Sequence, residues 1–295
     1  MKKLTGTGVA LVTPFRKDES IDFKSLEKLV EHVISGGVDY LVVLGTTGES
    51  VTLSQDERIA VLEHIKEVNN NRKPIVLGIG NYNTRELQKS FGLYDFKGVS
   101  AVLSVTPYYN KPNQKGLYEH YKVAANEAPV PIILYNVPGR TGVNLAAETV
   151  IKLANDFDNI IAVKEASGNM SQIMEIINNK PDDFMVISGD DALTMPMISA
   201  GASGVISVVA NAFPDIFSEM VRLCLKNKFD AARPLHYKLF EFINYLFADG
   251  SPGGIKTALC KLEITQTYLR KPLAAVNKTV SNKINLLVEE IKNKK

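Results

Sequence analysis

Cysteine is scarce in this chain, and its placement points away from redox or metal chemistry. The two cysteines, Cys224 and Cys260, lie far apart in apolar helical contexts. Reduced core thiols are expected there, rather than a disulfide framework or a metal site. Histidine is sparse as well: His32, His64, His120 and His236 fall on separate helical stretches, with no His-x-x-x-His pair and no nearby cysteine. A metal-dependent reaction is therefore not expected. Charge of one sign is also missing, since the formal net charge is +2 and the lysines are scattered, which argues against a nucleic-acid partner. No run approaches the roughly 20 apolar residues of a membrane span. The start, Met1-Lys2-Lys3-Leu4, runs into Gly6-Thr7-Gly8 without the apolar core of a signal peptide, so the expected location is the cytoplasm. A Gly-x-Gly-x-x-Gly after the first apolar run, a phosphate-binding Gly-x-x-x-x-Gly-Lys and a serine nucleophile elbow are all absent, which removes the usual dinucleotide, nucleotide and serine-hydrolase signatures.

What is present is a rhythm. With 45% hydrophobic and 22% charged residues the composition is that of an ordinary globular protein, and 295 residues suffice for one large barrel or two ordinary domains. Short apolar runs recur at residues 9–14, 40–44, 74–78, 101–106, 131–135, 160–163, 184–188 and 204–209. Each is closed by Gly, Pro, Asn or Thr and followed by an amphipathic stretch. In the segment 22–34, for example, Phe23, Leu26, Leu29, Val30 and Val33 share one helical face. Ser54 and Glu57 form the capping-box pattern that opens the next helix. Continuously apolar strands separated by helices require a parallel sheet covered on its faces, and about eight such units favour a closed barrel over an open sheet. Past Phe213 the strand pattern stops, and helical segments are expected over 216–226, 231–247 and 278–291, interrupted by Pro252-Gly253-Gly254. The reading is an α/β fold: a (β/α)₈ TIM barrel over residues 1–225 with a C-terminal helical extension over 226–295, suited to closing the barrel and building a subunit interface.

In such a barrel the chemistry sits on the loops after the strands, and those loops are polar here. Lys164 is the sharpest anomaly, because Ile160-Ile161-Ala162-Val163 precede it in a strand. Burial disfavours an ammonium ion, and a neutral amine is a competent nucleophile toward a carbonyl. The plainer alternative is an ion pair with an inward carboxylate, Glu165 or Asp190. Gly45-Thr46-Thr47-Gly48-Glu49 carries two hydroxyls and accessible amides, suited to a small carboxylate or phosphate but equally to an ordinary turn. Arg140 follows a Pro-Gly turn, where it either grips a carboxylate with two parallel bonds or stands as a surface arginine. Tyr109 and Tyr135 end strands, where a phenol can pass a proton.

At these residues the chain resembles the pyruvate-dependent class I aldolase superfamily, and within it the dihydrodipicolinate synthase family. The likeness covers nearly the whole chain. It is carried by Gly45 to Glu49, Tyr135 to Gly142, Val163-Lys164-Glu165-Ala166 and Gly204-Val205-Ile206-Ser207, in order and at family spacing. The resemblance implies that Lys164 forms an imine with pyruvate and that Tyr135 donates and accepts protons. Thr46 and Tyr109 would complete a hydroxyl relay, Tyr109 reaching into a neighbouring subunit's site. Thr47 would hold the pyruvate carboxylate, Ile206 would add a backbone contact, Gly189 would sit beside the site, and Arg140 would take the carboxylate of L-aspartate 4-semialdehyde. The implied product is 4-hydroxy-tetrahydrodipicolinate, on the way to lysine and diaminopimelate. No cofactor is implied, and a homotetramer built as a dimer of dimers is. Sister enzymes that cleave N-acetylneuraminate or sugar-derived 2-oxo acids use the same imine, but their fifth-strand loop usually lacks the arginine. A barrel that binds a 2-oxo acid without turning it over is the alternative from another class, and loss of Lys164, Tyr135 or Thr46 would have suggested it. One departure is visible. The segment Ser251-Pro252-Gly253-Gly254-Ile255-Lys256 stands where family members often begin with Asn and have Pro later. That segment is remote from the chemistry in the family, so the departure is given no weight.

Overall fold

Eight parallel strands close on themselves in chain order: β1 (Gly6–Ala10), β2 (Tyr40–Val43), β3 (Ile75–Gly78), β4 (Val99–Val105), β5 (Ile132–Asn136), β6 (Ile160–Glu165), β7 (Met185–Ser188) and β8 (Gly204–Ser207). The computed structural model describes residues 4–293, so Met1, Lys2 and Lys3 of the start discussed above lie outside the described residues. Strand β8 pairs with β1 through Gly6↔Gly204 to Val9↔Ser207, which seals the barrel.

The apolar runs locate seven strands to within two residues. The first is displaced: the strand is Gly6–Ala10, whereas the run began at Val9. Gly6 and Gly8 begin it because a Cβ on Gly8 would fall 2.2 Å from the Tyr40 ring, and one on Gly6 2.1 Å from the Asp39 carboxylate. Strand propensity disfavours glycine, so this start is hidden from pattern reading. Beyond Leu11 the backbone leaves the ladder, and the Val12 amide donates to the Asn211 side chain instead. The residues remain buried, which is what the apolar run reports.

Two layers of core result. A large cluster between strands and helices includes Leu26, Leu29, Val30 and Val33 of the helix Phe23–Ser35. A smaller one, with Val42, Val76, Leu103, Ile133, Ile187 and Ile206, comes from the alternate strand residues that fill the barrel. The Ser54–Glu57 capping box is formed in both directions.

The C-terminal helices share the outer core. Phe213, before the helix Pro214–Leu225, meets Phe242 of the helix Phe229–Phe247 edge to face at 5.2 Å. Pro252-Gly253-Gly254 opens the helix Gly253–Lys261. Gly254 is needed there because a Cβ would stand 2.4 Å from the Leu246 carbonyl oxygen. Among the described residues, no helix is long and apolar enough to cross a membrane.

Candidate active site at the C-terminal rim of the barrel

Register decides which way the rim residues point. On β6, Lys164 pairs with Tyr135 of β5 and Ile187 of β7, both members of the cluster inside the barrel. Glu165, one residue on, pairs with Asn136 and Ser188 and belongs to the opposite face. Lys164 is 6% exposed, and its Nζ stands 4.1 Å from the centroid of the Tyr135 ring.

The ion pair considered above is not formed. The Glu165 carboxylate accepts from Asn136 Nδ2 (2.6 Å), Gln172 Nε2 (2.8 Å) and the Ser167 hydroxyl (2.6 Å), all away from the barrel interior. Asp190 is occupied by the amides of Ala192 and Leu193. Among the described residues no carboxylate lies within ion-pair distance of Lys164. Gly189 keeps the amine's surroundings open: a Cβ there would stand 3.0 Å from Lys164 Cε and 2.7 Å from the Ala166 methyl.

The loop after β2 is tightly wound. Leu44 (φ 59°) and Glu49 (φ 54°) both adopt the left-handed conformation around a single 3₁₀ turn, Thr46–Gly48. Gly78 at the end of β3 lets it approach, since a Cβ there would lie 2.4 Å from the Leu44 carbonyl oxygen. The Thr13 hydroxyl donates to the Gly48 carbonyl at 2.6 Å. Thr47 is buried and Thr46 exposed. After β5, Val137 leads into the short helix Pro138–Thr141, which ends on Gly142 at φ 71°. It carries Arg140, which is exposed; its backbone amide donates to the Val137 carbonyl at 2.9 Å, while its guanidinium makes no hydrogen bond or ion pair among the described residues.

A cavity of about 340 Å³ joins these parts, lined by Gly45, Thr46, Tyr108, Tyr135 and Arg140 among others. The fold thus gathers Thr46, Tyr135 and Arg140 around one hollow, with Lys164 against Tyr135 and Gly189 against Lys164. Ile206 lies in the barrel interior at 1% exposure, and Thr47 beneath the loop surface. Tyr109 is not brought in: at φ 71° its side chain is 89% exposed. No cluster of three or more His, Cys, Asp or Glu side chains among the described residues is placed to hold a metal ion.

One expectation is overturned. The segment ending in Lys256 is not remote from this loop: Lys256, wholly buried, donates to Glu49 Oε1 at 2.5 Å. The signal was the one that exposed Lys164, a lysine amid apolar neighbours, here Ile255, Ala258 and Leu259. Burial pushes the Lys256 ammonium down to about 8 in spite of the Glu49 carboxylate beside it.

Comparison with known proteins agrees with this geometry. Residues 3–291 match the model of the dihydrodipicolinate synthetase family. The 4-hydroxy-tetrahydrodipicolinate synthase of Flavobacterium psychrophilum is 52% identical over 291 residues, which span 99% of each chain. The crystal structure of the chloride-inhibited dihydrodipicolinate synthase of Acinetobacter baumannii complexed with pyruvate superposes with a TM-score of 0.95 at 39% identity, covering 98% of this chain and 99% of that one. A monomeric dihydrodipicolinate synthase variant matches at a TM-score of 0.96 and 36% identity, over 98% of this chain and 97% of that one. With its closed barrel, its buried rim lysine and these full-length relatives, the chain belongs to the dihydrodipicolinate synthetase family.

Proposed function

We propose that this chain condenses pyruvate, held as an imine on Lys164, with L-aspartate 4-semialdehyde to give 4-hydroxy-tetrahydrodipicolinate, a step toward lysine and diaminopimelate. The observation that carries the site assignment is a lysine buried at the end of β6 without a carboxylate partner, flanked by a phenol and by a glycine that leaves it room. A name borne by a relative 52% identical over its full length supports the reaction itself.

The Lys164 amine adds to C2 of pyruvate and water leaves, giving an imine that draws electrons from the adjacent methyl group. Loss of a methyl proton yields the enamine, which attacks the aldehyde carbon. The new alkoxide takes a proton from Tyr135, which recovers one through Thr46 and, from a neighbouring subunit, Tyr109. The substrate's own amine then adds to the imine carbon, closes the ring and expels Lys164. Thr47 and the amides of its loop hold the pyruvate carboxylate, Ile206 offers its backbone, and Arg140 grips the carboxylate of the semialdehyde. The reading includes a homotetramer of tight dimers in which Tyr109, 89% exposed in the single chain, is donated across an interface.

A steady-state assay tests the reading. Pyruvate with aspartate semialdehyde should turn over, while N-acetylneuraminate should be a poor substrate. The reverse preference would transfer the chain to the sugar-acid branch.

A further inference from the structure

The Thr46–Thr47 loop is gripped from behind by the C-terminal region. Glu49 ends its 3₁₀ turn with a left-handed backbone that a non-glycine side chain adopts only at a cost. Its carboxylate, 1% exposed, is bound at both oxygens: Oε1 accepts from Lys256 Nζ at 2.5 Å, and Oε2 from the Arg270 amide at 3.1 Å. Lys256 is itself fixed, donating to the Tyr268 carbonyl at 2.9 Å and standing 4.3 Å from the centroid of the Phe15 ring. The Arg270 guanidinium lies 4.6 Å from the same ring, pairs with Glu57 through both of its terminal nitrogens, and donates to the Thr52 carbonyl at 2.9 Å. Two cations and one aromatic ring from distant parts of the chain thus converge on the segment 49–57.

A buried ion pair is a poor source of stability, because desolvation of both charges offsets their attraction, and an apolar pair of similar volume often serves as well. What such a pair does supply is a fixed distance and direction. Here the fixed group is Glu49, two residues from Thr47 in a turn too short to absorb a displacement.

We infer that Lys256 and Glu49 are positioning residues for the reaction: their buried bond sets the 3₁₀ turn so that Thr46 and Thr47 meet the carboxylate and proton of bound pyruvate. This rests on the proposed function, and the wild-type assay keeps the two separable, since an inactive wild type refutes that function while an unaffected variant refutes only this inference.

The test is the double variant Glu49→Gln with Lys256→Met, which removes both charges, leaves an acceptor for the Arg270 amide and fills the space of the lysine stem. Glu49→Asp serves as a second variant that keeps the charge and draws it back by one methylene. For each variant, the melting temperature, both KM values and kcat are measured. With the fold retained, KM for pyruvate should rise and kcat should fall, their ratio changing roughly 10- to 100-fold, as small misplacements of reacting groups do. KM for aspartate semialdehyde, whose carboxylate is assigned to Arg140, should stay within about threefold. Folded variants with wild-type kcat and pyruvate KM overturn the inference, as does equal damage to both KM values. Should the double variant fail to fold, Glu49→Asp decides on the same criteria; loss of the fold in both would mark the pair as structural and overturn it too.

Discussion

Lys164 and Tyr135 are register partners on adjacent strands, and the lysine Nζ stands 4.1 Å from the centroid of the tyrosine ring. This one pairing places an amine and a phenol side by side at the mouth of the barrel, on strands whose backbone bonds prevent either from drifting. The proposed nucleophile and proton carrier are thus held by the sheet rather than by a loop.

Gly189 guards that pair. Gly189→Ala should place a methyl 3.0 Å from Lys164 Cε, displacing the amine or the Ala166 side chain at an overpacking cost of about 1 to 3 kcal/mol. The expected outcome is a folded protein in which imine formation with pyruvate slows roughly 10-fold or more. Stopped-flow or single-turnover trapping checks it, and wild-type rates would show that the crowding is relieved elsewhere.

Arg140 stands free at the rim, so its removal should cost selectivity rather than fold. Arg140→Ala is expected to lower kcat/KM for aspartate semialdehyde by about 10- to 150-fold, the worth of a charge-assisted pair of roughly 1.5 to 3 kcal/mol. Formation of the pyruvate imine should change little. Equal loss in both steps would make Arg140 a general scaffold of the loop.

Tyr109 is expected to act in a partner's site. Mixed with Lys164→Ala, Tyr109→Phe should recover activity in hybrid dimers, because one of the two sites then holds both native groups. Hybrids proven by mass spectrometry that remain as inactive as the parents would count against the sharing.

Most of this architecture was legible because burial writes itself into sequence. Ile160-Ile161-Ala162-Val163 announce β6, and Lys164 is conspicuous because it breaks them. The first strand was misplaced because Gly6 and Gly8 serve Asp39 and Tyr40 rather than strand propensity, a contact made only after folding. The Lys256–Glu49 bond spans 207 residues, and no local pattern encodes a pairing at that distance. Lys256 nonetheless carried the same warning as Lys164, a charge within an apolar helix face. The choice of Glu165 or Asp190 as partner of Lys164 also needed the fold, since only register shows that Glu165 faces the helices.

A pH dependence of stability follows from Asp191, which is 3% exposed and accepts from the amides of Val208 (3.0 Å) and Val209 (2.9 Å). Burial pushes its carboxyl up to about 6, with Ser207 and the two amides opposing and Asp190 adding slightly. Because the folded state holds this proton more tightly than the unfolded chain, the contribution is full below about pH 3.8 and is lost as pH rises through about 6. The loss should amount to about 3 kcal/mol. Denaturant unfolding of the wild type and Asp191→Asn at pH 4.5 and pH 7 checks it: the wild type should lose stability relative to the variant on going up, and parallel profiles would contradict it.

Reductive trapping reads directly whether Lys164 carries the reaction as an imine. Borohydride added with pyruvate should leave a single reduced pyruvyl adduct, and peptide mapping should place it on Lys164, with none formed in Lys164→Ala. An adduct on another lysine, or no adduct in an active wild type, would contradict it.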